Sequence, residues 1–71
     1  MTKDEAIKIF PATAYCSTAE HQKQIKLLFG FAQAMRQDYQ MAETSEEKKI
    51  AEFLYLRHLE EIDARLTLIN R

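Results

Sequence analysis

The chain of 71 residues contains one cysteine, one proline and one glycine. A single cysteine excludes an internal disulfide, the usual staple of small secreted domains, and favours a reducing compartment. One glycine leaves no room for a glycine-rich phosphate loop. With so few turn residues, no strand-like alternation and no hairpin dipeptide such as Asn-Gly, the sequence reads as all-helical.

Two further absences narrow the class. The N-terminal MTKDEAIKIFPATAYC lacks the basic start and 7–15-residue apolar core of a secretory signal. No apolar run approaches the roughly 20 residues of a membrane span. The expected location is the cytoplasm. The net charge is only −1, and it is spread evenly: residues 1–16 sum to zero, 17–42 to +1 and 43–71 to −2. A nucleic-acid binder usually carries a basic face that such a balance does not supply.

What is present is a folded-protein composition, 46% hydrophobic and 30% charged, far from the signature of disorder. Residues 1–71 form one domain of a size that buries only about 60% of the surface its unfolded chain exposes, so its core is thin.

Three Ser/Thr-x-x-Glu signals divide the chain: Thr2 with Glu5, Ser17 with Glu20, and Thr44 with Glu47. Each can satisfy free N–H groups reciprocally at a helix start. They predict helices over about 3–9, 18–42 and 45–70. The first stops because Pro11 disfavours helical geometry at Phe10, and PATAYCS makes a connector. The two long helices, each about 37 Å at 1.5 Å per residue, are joined by a link short enough to force an antiparallel hairpin.

The second helix carries Ile25, Leu28, Ala32, Met35, Tyr39 and Ala42 at alternating steps of three and four, and the third carries Tyr55, Leu59, Ile62, Leu66 and Ile69. These two seams are expected to face each other. Both helices are oilier than one seam requires. The short first helix, with Ala6, Ile7, Ile9 and Phe10 and with Tyr15 after the proline, is expected to cap one side. At about 10 Å it is too short to cover all the surplus.

Apolar surface left over on a small protein marks an interaction site, and a second copy is the simplest source of cover. The sequence therefore predicts a homodimer forming a four-helix bundle. Its expected protein-contact residues are Phe29, Gly30, Phe31, Ala34, Phe53, Leu54 and Leu56. Gly30, four residues before Ala34, forms a small-x-x-x-small notch where another backbone could approach; alternatively it is an idle surface glycine costing about 1 kcal/mol against alanine.

No constellation announces a reaction. Cys16, His21 and His58 lack the closely paired spacing of a structural zinc site, and His58 with Glu61 reverses the Glu-x-x-His order of di-iron bundles, with no second copy. Ser17 and Ser45 sit at helix starts, where their hydroxyls have structural partners, and nothing resembles a nucleophile beside its base. The reading is a protein that is not an enzyme and has no metal or cofactor: a small regulator or adaptor acting through protein contact. The alternative is a nucleic-acid-binding regulator using Lys23, Lys26, Gln33, Arg36 and Gln37 on one face of the second helix. Membrane binding would want a markedly basic polar face, which the acidic third helix lacks.

Overall fold

The computed structural model describes residues 1–70. It contains α1 (Lys3–Ile9), a 3-10 helix (Pro11–Tyr15), α2 (Thr18–Met41) and α3 (Ser45–Ile69), with no strand among the described residues. The long helices form an antiparallel hairpin, α1 packs on α3, and the molecule measures 41 × 21 × 16 Å.

Local chemistry sets the helix starts. The Thr2 hydroxyl accepts from the Glu5 N–H at 3.2 Å while Glu5 Oε1 accepts from the Thr2 N–H at 3.1 Å. Ser17 and Glu20 repeat the arrangement at 3.2 and 3.4 Å. The third start departs from it. Thr44 accepts from the Glu47 N–H at 3.1 Å, but Glu47 Oε2 reaches past it to the Glu43 N–H at 3.2 Å. That bond ties down the three-residue link between α2 and α3, where a reciprocal box would have left the Glu43 donor to water.

Pro11 ends α1 as its fixed geometry requires, yet the connector is more ordered than its composition suggests. It winds into the 3-10 helix, and Thr13, 2% exposed, donates its hydroxyl to the Phe10 carbonyl at 2.6 Å. Tyr15, expected to help cap the hairpin, instead points to solvent at 90% exposure.

The α2 seam is confirmed at Leu28 and Ala32, which are buried, and at Ile25, Met35 and Ala42, which are half-buried; Tyr39 lies largely outside it. On α3 the seam is rotated from the expected one. Ala51, Ile62 and Arg65 are buried with half-buried Tyr55, His58 and Ile69 in step, whereas Leu66 stays 43% exposed and Leu59 is half-buried. Ala64 and Leu68, next round the helix, are buried with Ala6 of α1, and Ile7 and Phe10 close that cluster. Both Ala6 and Ala64 are fully buried, so α1 approaches α3 at a contact made by methyl groups.

Because α3 serves two neighbours, its buried arc is centred between them. Leu59 and Leu66 fall at the arc's far edge. None of the described helices is long and apolar enough to cross a membrane.

Candidate protein-contact surfaces

The side chains richest in chemistry meet at the open end of the hairpin. Arg65 Nε donates to Glu61 Oε2 at 3.1 Å, and its Nη1 lies 3.2 Å from His21 Nδ1 and 3.8 Å from Cys16 Sγ. Since arginine only donates, His21 Nδ1 is the acceptor here. Arg65 is 8% exposed and His21 2%. Cys16 and His21, two members of the metal set considered from the sequence, thus converge on a cation. His58, the third, donates Nδ1 to the Leu54 carbonyl at 2.6 Å and sets its ring edge-on to Phe31, with centroids 5.9 Å apart. No group of three or more His, Cys, Asp or Glu side chains that could hold a metal occurs among the described residues.

The arrangement is structural in character. It places a charge-assisted bond, the stronger kind, between buried side chains of α2 and α3. His21 was missed in the sequence although it precedes Ile25 at seam spacing. Arg65 was missed because its polarity argued for the surface.

The hairpin presents two broad sides. On the first, α1 covers the C-terminal half of α3: the Phe10 ring lies under the Arg57 guanidinium, 4.5 Å from the ring centroid, and Ala6 meets Ala64 and Leu68. The same side of α3 continues without cover to Leu54, Phe53 and Ile50, which are 36%, 67% and 61% exposed. There Ile50 and Leu54 line a shallow groove with Met35 and Met41 of α2, and the charged side chains lining it, Asp38 and Glu47, are both acidic. Phe31, 53% exposed, and Ala34 belong to this side.

On the second side stand Phe29 and Leu56, 51% and 54% exposed. Phe29 and Phe31 are two residues apart and so about 160° apart on the helix. The seven contact residues expected from the sequence are therefore divided by the hairpin: Phe31, Ala34, Phe53 and Leu54 lie on the α1 side, while Phe29 and Leu56 lie opposite. Gly30 belongs to neither. It faces away from α3, and a Cβ placed on it would meet nothing within 4 Å.

The basic face of α2 is placed as follows. Lys23 and Lys26 line a groove with Leu66 and Ile69, and Arg36 lines another with Glu52, Tyr55 and Leu56. Gln33 and Gln37 are exposed along the same helix. Arg36 thus stands beside one acid of α3, while Lys23 and Lys26 stand beside apolar side chains of that helix.

No family model matches this chain, and no curated protein or solved structure does either.

Proposed function

We propose that this chain is a small non-enzymatic regulator or adaptor that works by contact with other protein surfaces and is itself a homodimer. The observation that carries the reading is the uncovered half of the α1 side. The oily stripe on which α1 sits runs on for another two turns through Leu54, Phe53 and Ile50, and Phe31 and Met41 widen it from α2. A contiguous exposed apolar surface of this kind marks an interaction site on a small protein. The lone Cys16, half-buried beside Arg65, suits a reducing compartment such as the cytoplasm.

A hydrophobic-dye titration tests the surface. The wild-type protein should enhance dye fluorescence while unfolding cooperatively in urea. Ile50→Gln together with Phe53→Gln should remove most of that signal and leave helix content unchanged. A wild-type protein that binds no dye at micromolar concentration defeats the reading.

The exposed Lys23, Lys26, Arg36, Gln33 and Gln37 support nucleic-acid binding as the second reading. Against it, Arg36 shares its groove with Glu52, so a phosphate backbone laid there would meet carboxylates as well as cations. A gel shift that weakens steeply with salt and is lost in Lys23→Glu plus Lys26→Glu would restore it.

A further inference from the structure

We propose that the side of the hairpin opposite α1 is the surface through which two copies of this chain associate, about a two-fold axis running parallel to the helices. The proposal rests on the homodimer reading above and assigns its interface. Three observations converge on this side.

The first is apolar surface. Phe29, Leu56 and Leu66, each between 43% and 54% exposed, stand here with half-buried Ile25 and Leu59. Leu59 and Leu66 are the seam residues that α3 turns away from α2, and nothing within the chain fully covers them.

The second is a separation of charge by helix. On this side α2 presents Lys23, Lys26 and Arg36, while Glu20 and Asp38, each nine residues from Phe29, fall about 180° away. On α3, Glu52 and Asp63 are in step with Leu56, Leu59 and Leu66, and Lys48 and Lys49, both at the link end, are the cations of that stripe. Asp63, more than half exposed, stands at the edge of this side, where it pairs with the Met1 amino group at 3.8 Å. Beyond the link end, the α2 half of the surface is basic and the α3 half acidic.

The third is register. His21 lies opposite Arg65 and Phe31 opposite His58, so in this antiparallel pair ten steps up α2 span seven back along α3, which fixes the level of each residue to within about one turn. That sets Lys26 level with the stretch from Glu60 to Asp63, Arg36 level with Glu52, and Phe29 level with the Leu56–Leu59 turn. A two-fold axis parallel to the helices keeps every height while exchanging left for right. It lays the partner's α2 over α3, cation on acid at two levels and Phe29 against leucine between them. An axis perpendicular to the helices and lying in the interface would instead place α2 on α2 and α3 on α3, with like charges opposed.

Either axis makes every adjacent pair in the resulting four-helix bundle antiparallel, the arrangement that helix dipoles favour, so the side-chain charges decide between them. Charge complementarity of this kind fixes register and partner choice more than raw affinity.

Sedimentation equilibrium at tens of micromolar protein tests the assignment. Wild type should be a dimer. Lys26→Glu with Arg36→Glu puts acids at both α2 positions that face acids of the partner, and Glu52→Lys with Asp63→Lys puts cations at both α3 positions that face cations. Each double variant alone, its helix content checked by circular dichroism, should show a dimer dissociation constant raised about tenfold or more. An equimolar mixture of the two should form a heterodimer, because both contacts are then again opposite in sign. Ile50→Gln with Phe53→Gln, on the other side, should leave the dimer intact.

A wild-type protein that stays monomeric at about a hundred micromolar overturns the homodimer reading and this interface together. A dimer that survives both charge reversals, or that dissolves on the Ile50 and Phe53 changes, keeps the homodimer and overturns the interface.

Discussion

Arg65 of α3 donates to His21 of α2 at 3.2 Å across 44 residues of sequence, a buried side-chain hydrogen bond between the two long helices. The same guanidinium holds Glu61 one turn back on its own helix. Removing it strands a partly buried carboxylate, since Glu61 keeps 26% of its side-chain exposure. Arg65→Ala should therefore cost about 2–3 kcal/mol, below the full range for a wholly buried pair because water still reaches Glu61. Urea unfolding measures it. Arg65→Met, which restores the apolar volume, should recover part of the loss; a cost for Arg65→Ala below about 0.5 kcal/mol would mean that the charge is idle.

The attachment of α1 depends on two methyl groups. Ala6 and Ala64 are fully buried against each other's helix beside Leu68, leaving no volume for a longer side chain. Ala64→Leu should destabilise the fold by about 1–3 kcal/mol through overpacking. Hydrogen exchange should show faster exchange over α1 than over α2. Uniform acceleration across all three helices would show that α1 does not open as a separate unit.

Gly30 sits in the exposed middle of α2 with open space where a Cβ would stand. Gly30→Ala should raise stability by about 0.5–1 kcal/mol through reduced chain entropy in the unfolded state and better helix propensity. Thermal unfolding checks the sign. Because Gly30 lies on neither broad side of the hairpin, the same substitution should leave the sedimentation behaviour unchanged; a shifted association constant would mean that the small-residue notch with Ala34 is occupied by a partner.

The Glu5 carboxylate is held below the usual glutamate pKa by the side-chain and then the backbone hydrogen bond it makes with Thr2. A group whose folded pKa is depressed contributes stability above its unfolded pKa, and that contribution is lost as the pH falls through the folded value. The α1 start should thus lose stability as the pH falls from the ordinary range of glutamate titration down through the lower value of folded Glu5. An NMR titration of the Glu5 side-chain carboxyl should give a midpoint under that of a model glutamate. Thr2→Ala should move it upward, and an unchanged midpoint in that variant would dissociate the shift from the cap.

The helices and their limits were legible because they depend on neighbours in sequence. Thr2, Ser17 and Thr44 each cap a helix within three residues, and Pro11 stops α1 through its own ring. The antiparallel pairing of α2 with α3 followed from the short link. The candidate contact residues were legible only as surplus apolar positions. Periodicity along one helix does not say which side of a hairpin a residue joins, so Phe29 and Phe31 were grouped when the fold separates them.

The alignment of α3 shows most clearly where sequence stops. Two frames share Tyr55, Ile62 and Ile69: one adds Leu59 and Leu66, the other His58 and Arg65. Hydrophobicity alone selects the leucines. The structure selects His58 and Arg65, because Phe31, His21 and Glu61 supply their partners, and because α1 draws the buried arc of α3 toward Ala64 and Leu68. The sequence by itself determined where each helix starts, how long it runs and that the two long ones turn back on each other, since these are local hydrogen-bonding and chain-length effects. Tertiary structure alone decided how far α3 is rotated about its axis, and with it which leucines are left exposed, because that angle follows from the contacts of one helix with two unequal neighbours.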